Sequence, residues 1–466
     1  MSEERDRIGE RGGDARGSRV NCVVGLGYVG LTVAVALDRA GYPTVGYDID
    51  TEKIRELNAG RDPTGEFGDD AIAASDISFT DSPTDIERAK YVHVALPTPI
   101  DETARPDLSG LEVASETIGR HLADDAVVVY ESTLYPGATR ERLRPALERG
   151  ATAGNGATFR VGYSPERIVP GTARTTTNVT KVVGAEDDET RAELEVLFDD
   201  MVGGDVYPVE SIEIAEAAKC IENVQRDVNI ALMNEFAQGC RELDFDLDPH
   251  AVLDAAGTKW NFHRYEPGLV GGHCIPVDPH YLRHKFEQSG YVPQLIRSAR
   301  TVNQGMSGYV CSLVVDALET ARAETRLVES SGIAEGSGTA SAASEAPFGA
   351  RALLLGFTYK PNVGDVRNSA VQDVAEGLSR RGIEVVGHDP HFDAETVPET
   401  FDFEVQSSVD FDDVDCAVVL AAHDEIRDYD LERMADEMAD DPVLVDVGNG
   451  FDPDEATAHG FTYRRL

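Results

Sequence analysis

Short, continuous apolar runs alternate with helical patterns through the first part of the chain. After a first predicted strand at Arg19 to Val24, the runs at Val45-Gly46-Tyr47, Tyr91 to Leu96 and Ala126 to Tyr130 are almost wholly apolar. Strands buried on both faces read this way, and their alternation with helices predicts a parallel, doubly wound α/β sheet. The period then changes. From Ile212 to about Leu243 no proline intervenes, and apolar residues recur three and four apart at Ile214, Ala218, Ile221, Val228, Leu232 and Phe236. That spacing predicts one long helix, a spine between domains. A second helical stretch covers about Val292 to Arg326, and runs at 351–356, 384–387 and 416–420 predict a second α/β sheet.

A chain of 466 residues is too long for one hydrophobic core. The pattern places an N-terminal α/β domain at 19–208, a central helical domain at 209–305 and a C-terminal α/β domain at 306–466. Residues 1–18 read as a disordered tail. Residues 329–348 are small, polar and rich in Gly and Ser, and read as a flexible insertion.

Charge narrows the partners. With 85 acidic against 42 basic residues the formal net charge is −43, which disfavours nucleic acid. The acids are interleaved with periodic apolar segments, and 41% of residues are hydrophobic. This pattern fits a folded protein with a strongly hydrated surface, as in a halophilic cytoplasm, better than a disordered one. Cys22, Cys220, Cys240, Cys274, Cys311 and Cys416 form no CxxC pair and no cluster at zinc spacing. Reduced thiols and a cytoplasmic protein without a metal are expected. No apolar run approaches the roughly 20 residues of a membrane span, and Met1 to Ser18 carries no signal-type apolar region.

Val23-Val24-Gly25-Leu26-Gly27-Tyr28-Val29-Gly30 follows a predicted strand and opens a helix. In that context the first glycine permits the tight turn, the second lets a pyrophosphate approach the backbone, and the third allows close packing. Asp48 ends the next strand, where a carboxylate accepts from an adenosine ribose and disfavours a 2′-phosphate, so NAD is the expected cofactor. Lys53 stands one turn on, near the cofactor or in solvent.

Lys219 and Asn223, four apart, share a face of the long helix. Such a pair can donate to an oxygen becoming anionic, or can be a solvated face. Cys274 lies between Gly271-Gly272-His273 and Ile275-Pro276. A thiolate presented there can add to an aldehyde, and the adduct can lose a second hydride to become a thioester. The other five cysteines read as core residues, and His273 as structural. Asp278 is a base or water-orienting group, or a helix cap. The loops Glu131 to Gly137 and Gly162 to Gly171 follow predicted strands, as ligand-binding loops or as ordinary turns.

In order, these motifs resemble the UDP-glucose/GDP-mannose dehydrogenase family, nucleotide-sugar 6-dehydrogenases that oxidise a UDP-sugar to the UDP-uronic acid with two NAD. The resemblance runs from about Asn21 to Asp446. It implies two Rossmann-like domains, NAD-binding and UDP-binding, joined by a central helical domain that dimerises. It makes Cys274 the nucleophile, gives Lys219 and Asn223 the alkoxide, and gives Thr133, Glu166 and Asp278 the water. NAD falls to Gly25, Gly27, Tyr28, Val29, Gly30, Asp48, Lys53, Thr98, Ser132 and Thr133. The UDP-sugar falls to Glu166, Arg167, Lys219, Asn223, Gly271 and Lys360. Lys360 and Arg367 lie in Gly356-Phe357-Thr358-Tyr359-Lys360-Pro361-Asn362-Val363-Gly364-Asp365-Val366-Arg367, similar to a family signature whose arginine reaches a cofactor across a subunit interface.

Pro170 stands where the UDP-glucose branch tends to place a second glutamate. Pro165 to Gly171, Ile221 to Leu232 and Gly257 to Phe262 resemble instead the branch acting on UDP-N-acetylhexosamines, whose epimer-specific enzymes share these motifs. An arginine that some relatives lend to the neighbouring subunit has no clear equivalent, with Lys259 and Arg264 nearby. Competing readings are a UDP-glucose dehydrogenase, a one-hydride β-hydroxyacid-type dehydrogenase, and a regulator that binds NAD or UDP-sugar without turning it over.

Overall fold

The computed structural model describes residues 19–167, 179–245, 247–331, 349–392 and 401–466. The expected tail, most of the expected insertion (332–348) and Ile168 to Gly171 lie outside the described residues. The chain forms two compact units. One takes in the residues through Asn223 with Val277–Val292, the other Val224–Pro276 with Pro293–Leu466.

In the first unit eight strands form one sheet: β1 (Asn21–Val24), β2 (Thr44–Tyr47), β3 (Ser78–Thr80), β4 (Tyr91–Val94), β5 (Ala126–Tyr130), β6 (Phe159–Tyr163), β7 (Lys181–Ala185) and β8 (Val206–Pro208). The spatial order is β3-β2-β1-β4-β5-β6-β7-β8, which contains the Rossmann order. β1, β2, β4 and β5 are buried throughout, as continuous apolar runs require. The expectation of a wholly parallel sheet needs one correction. β7 pairs antiparallel with β6, Gly162 opposite Ala185, while β8 runs parallel to β7. Helix α1 (Tyr28–Arg39) follows β1, and α2 (Thr51–Asn58) follows β2. Leu31, Val33 and Leu37 of α1 pack with Val23, Val127, Val129 and Phe198 in the core.

The long helix is present as α3 (Ile212–Arg241), and the division between units falls within it, so the residues expected at 209–305 are shared by both units. The stripe read from its spacing is not its packed face. Ile214, Ile221 and Leu232 are 45%, 50% and 58% exposed, whereas Ala215, Cys220, Val224, Ala231 and Ala237 are buried. The helix is apolar on two sides, and the larger side chains mark the outer one.

In the second unit, α4 (Pro249–Gly257) and α5 (Asp278–Gln288, part of the first unit) precede α6 (Gln294–Ser331), which starts just after Pro293. Six strands follow: β9 (Arg351–Leu355), β10 (Glu384–His388), β11 (Glu404–Val405), β12 (Cys416–Val419), β13 (Val443–Asp446) and β14 (Thr462–Arg465). All pairings are parallel in the order β11-β10-β9-β12-β13-β14, the Rossmann order again. Ala352 and Leu354 pack beneath Met306, Val310 and Val314 of α6, while Leu353 and Leu355 face Ile426 and Met434. Part of the acidic excess has local work. Asp50, Asp187, Asp248, Asp430 and Asp452 each cap a helix by accepting from its first backbone N–H groups.

Candidate active site

The turn after β1 has the shape the fingerprint requires. Gly25 sits at φ +90°, where a Cβ would also stand 2.8 Å from the Ala95 carbonyl oxygen. A Cβ on Gly30 would fall 1.7 Å from the Gly25 carbonyl oxygen, so the third glycine lets the helix close onto the turn itself. A Cβ on Gly27 would meet nothing within 4 Å. Gly27 caps α1 without a side-chain bond and no acid lies in the first turn, leaving the helix N-terminus open to an anion. Asp48 Oδ2 accepts from the Leu26 N–H at 2.7 Å and from Lys53 Nζ at 2.9 Å, and Oδ1 accepts from the Asp50 N–H at 3.0 Å. Burial pushes its pKa up, but the Asp50, Leu26 and Lys53 bonds outweigh burial and hold it below the ordinary value. These features fit a dinucleotide with a free 2′-hydroxyl.

Other residues expected at the cofactor have internal partners. Lys53 is paired with Asp48, and the Tyr28 hydroxyl donates to Glu66 at 3.1 Å. Val29 packs against the core. Ser132 latches two strand ends together: its hydroxyl accepts from the Leu96 N–H at 2.9 Å and donates to the Leu96 carbonyl at 2.7 Å. Thr133 beside it is half-buried. The Thr98 carbonyl accepts from the Tyr281 hydroxyl at 2.8 Å, tying the loop after β4 to α5.

The same unit joins Lys219, Asn223 and Asp278. Asn223 Nδ2 donates to Asp278 Oδ2 at 2.6 Å, and Lys219 acts on that carboxylate through its charge. Asp278 is the first residue of α5, yet its carboxylate turns to α3 and does not cap the helix. Burial pushes its pKa up to about 6, against the pull of Lys219 and Asn223. A group so placed can take and return a proton near neutral pH.

Glu166 and Arg167 follow β6. Glu166 Oε1 accepts the Arg167 N–H at 2.7 Å, and Oε2 meets Lys181 Nζ at 3.1 Å. The Arg167 guanidinium, expected at the substrate, is engaged by Glu222 at 2.5 Å and the Thr180 carbonyl at 2.7 Å. No role was read in the sequence for Lys181 or His93 behind Glu166, and Glu131 entered only as the start of the loop Glu131 to Gly137. The one available signal was a lysine opening the apolar strand Lys181-Val182-Val183.

In the second unit the Cys274 loop packs on the Gly356 to Arg367 segment. A Cβ on Gly271 would lie 2.9 Å from the Asn368 carbonyl oxygen, and one on Gly272, at φ +84°, 2.9 Å from the Tyr359 ring. Asn368 Nδ2 donates to the Gly272 carbonyl at 3.2 Å. Asn234 of α3 grips the loop upstream, accepting the Gly268 N–H at 2.7 Å and donating to the Gly268 carbonyl at 3.0 Å. Cys274 is partly exposed, while the other five cysteines are buried, Cys22 with its thiol pushed up to about 12 by burial. Lys360 and Arg367 both lie within electrostatic range of Cys274. Burial and Arg226 lower the Lys360 pKa. Arg367 is held by Asp365, Nη2 to Oδ2 at 2.7 Å, with His273 Nδ1 3.4 Å from the same nitrogen.

Two sheets of Rossmann order, one with an open pyrophosphate turn and the other with a basic loop beside an accessible thiol, define a dehydrogenase that handles nucleotides at both ends. Comparison with known proteins gives the family. The UDP-glucose/GDP-mannose dehydrogenase patterns match in chain order: the NAD binding domain at 19–202, the central domain at 213–305 and the UDP binding domain at 353–453. The chain is 38% identical to the UDP-N-acetyl-D-glucosamine 6-dehydrogenase of Pseudomonas aeruginosa, over 93% of this chain and 97% of that one. It is 39% identical to protein CapL of Staphylococcus aureus, over 87% and 90%. The structure of the UDP-D-ManNAc dehydrogenase of Pyrococcus horikoshii superposes with a TM-score of 0.79 at 27% identity, covering 96% of this chain and 99% of that one. The chain therefore belongs to the UDP-glucose/GDP-mannose dehydrogenase family and is an NAD-dependent enzyme of that family.

Proposed function

We propose that the protein oxidises the C6 hydroxyl of a UDP-N-acetylhexosamine to the carboxylate, through a thioester on Cys274. The observation that carries this reading is Cys274 itself, the one cysteine that is not buried, on a glycine loop backed by Lys360 and Arg367. Relatives named for UDP-N-acetyl-D-glucosamine and UDP-N-acetyl-D-mannosamine, matched over most of their length, support the sugar class.

NAD, when bound at the Gly25 to Gly30 turn and Asp48, supplies the electron acceptor for two successive oxidations. Lys219 and Asn223 donate to the oxygen that becomes anionic, and Asp278 takes the hydroxyl proton. The Cys274 thiolate adds to the aldehyde carbon, so the aldehyde stays covalently held until it is an acyl thioester. Water, positioned by Glu166 with Thr133, then attacks the acyl carbon. The C–S bond breaks, the thiolate returns and the acid leaves. Lys360 binds the diphosphate or sugar of the substrate, and Arg367 serves a cofactor held by a second copy. The exposed Ile214, Ile221 and Leu232 support a homodimer through α3. Charge and composition support a salt-adapted cytoplasm as the setting.

The test is the NADH formed per UDP-sugar in concentrated KCl, across UDP-glucose and the three UDP-N-acetylhexosamine epimers. Two NADH with one acetamido sugar is expected. Two with UDP-glucose alone would move the substrate to the other branch, and one would remove Cys274 from its role. Cys274→Ser is expected to bind NAD normally and form no acid.

A further inference from the structure

A buried row of alternating basic and acidic side chains ends on Glu166. His93 of β4 places Nδ1 2.8 Å from Glu131 Oε1, and Lys181 of β7 places Nζ 2.7 Å from Glu131 Oε2 and 3.1 Å from Glu166 Oε2. His93 and Glu131 are fully buried, and the Lys181 and Glu166 side chains are 4% and 8% exposed. On its far side His93 Nε2 faces Asn21 Oδ1 at 3.2 Å, and Asn21 Nδ2 donates to the Arg19 carbonyl, which sets the amide's orientation. Both ring nitrogens thus face side-chain oxygens. The row alternates nitrogen bases with carboxylates.

Such a row is an expensive way to fill a core. Each buried charge costs several kcal/mol to desolvate, and well-packed apolar residues of similar volume often serve stability as well or better. What apolar residues cannot do is hold a carboxylate. The Lys181 ammonium is fixed by Glu131 and by the face of Phe198, 5.3 Å from the ring centroid. Glu166 is then held at both oxygens, by Lys181 at Oε2 and by the Arg167 N–H at Oε1.

We propose that Lys181 is a positioning residue for Glu166: backed by Glu131 and His93, it holds that carboxylate in one orientation to take a proton from the water that cleaves the thioester. This rests on the thioester reading above. In the step it serves, water oxygen bonds to the acyl carbon, one water proton passes to Glu166, the C–S bond breaks and its electron pair leaves on Cys274 sulfur. Glu166 afterwards returns the proton to solvent.

The experiment uses the full chain with NAD and the UDP-sugar that the wild type oxidises. The double variant Lys181→Met/Glu131→Gln removes one charge of each sign and leaves the buried sum unchanged. Expected are a melting temperature near wild type, an undiminished first burst of two NADH per subunit, and steady turnover about 100-fold lower. Intact-protein mass should show an acyl adduct accumulating. Lys181→Arg, which keeps the charge, should restore much of the turnover. The single variant Glu131→Gln should slow the second phase several-fold with the burst intact. Wild-type turnover without adduct in a folded variant, or loss of the burst itself, would overturn the proposal. A wild type that reduces no NAD with any UDP-sugar would instead overturn the thioester reading.

Discussion

The turns after β1 and β9 are built alike and used differently. In each a glycine at positive φ, Gly25 or Gly356, lets the chain pass against a carbonyl of the neighbouring strand end, Ala95 or Ala421. The next N–H then donates to the carboxylate after the following strand, Leu26 to Asp48 at 2.7 Å and Phe357 to Asp389 at 2.5 Å. Beyond that point the halves diverge. Gly27 opens directly into α1, whose N-terminus carries no side-chain cap, whereas Phe357 leads into a loop holding Lys360 and Arg367 before α7 (Val371–Ser379) begins. A Rossmann sheet supplies a crevice and a ribose-type carboxylate. Whether phosphate is met by helix amides or by side chains is decided in the few residues after the turn.

The harshest test adds one methyl group to each turn. Gly30→Ala would set a Cβ 1.7 Å from the Gly25 oxygen, and Gly356→Ala one 2.2 Å from the Ala421 oxygen at φ +82°. Each should cost about 4 kcal/mol or more in denaturant unfolding. NAD binding should be lost from the first variant and kept in the second. Gly27→Ala has open space around it and should leave stability near wild type while cutting NAD affinity. Equal NAD loss from Gly27→Ala and Gly356→Ala would break the comparison.

Two buried carboxyls of the first unit supply a test by pH. Glu216, pushed up to about 7 by burial, and Asp278, pushed up to about 6 by burial, both belong to the first unit. Their unfolded values lie near 4, so the folded form binds more protons between about pH 4 and pH 7. Their contribution to stability is complete below pH 4 and is lost as pH rises through 6 to 7. Glu216 accepts from the Gly137 and Thr139 N–H groups and the Thr139 hydroxyl. Glu216→Gln cannot titrate, so the stability of wild type relative to this variant should fall by up to about 3 kcal/mol from pH 4 to pH 8. A flat difference would show that the hydrogen bonds, not burial, govern the carboxyl.

Much of this was legible in the sequence. The glycine spacing, Asp48 and the apolar runs encode local backbone geometry, and the second sheet announced itself by the same runs. Lys219 and Asn223 were readable because a helix puts residues four apart on one face. The row behind Glu166 was not, because His93 and Lys181 come from two strands and Glu131 from the residue just after a third, and they are neighbours only across the sheet. The spacing on α3 announced a long helix but not that Ile214, Ile221 and Leu232 would stand exposed, because periodicity marks an apolar face without saying what covers it. Ser132 has the residue type of a ligand contact, yet its hydroxyl is used within the protein.

A milder change isolates the shared carboxylate. Asp48→Ala and Asp389→Ala would each leave a buried N–H, of Leu26 or Phe357, without its acceptor, at a cost of about 2 kcal/mol apiece. If the halves are as alike as their turns, the two losses should agree within about 1 kcal/mol, and only the first should lower NAD affinity. A much larger loss at Asp389 would trace to its side-chain partner. His423 accepts the Asn362 N–H at Nδ1, so Nε2 carries the proton that faces Asp389 Oδ2 at 3.2 Å, with no solvent contact.

The smallest effect should come from the corresponding partner in the first half. Lys53 holds Asp48 Oδ2 at 2.9 Å, but its side chain is 26% exposed, and the Leu26 and Asp50 N–H groups remain when it is removed. A partly hydrated ion pair on a carboxylate already satisfied by the backbone contributes about 1 kcal/mol or less. Lys53→Met should therefore cost less than Asp48→Ala, and the cost should shrink in concentrated KCl, where screening reaches only about 3 Å at 1 M. The His423 contact, fully buried, should show no such salt dependence. Were Lys53→Met as damaging as Asp48→Ala at high salt, the carboxylate would be held by the lysine rather than by the turn, and the two halves would share a strand order but not a device.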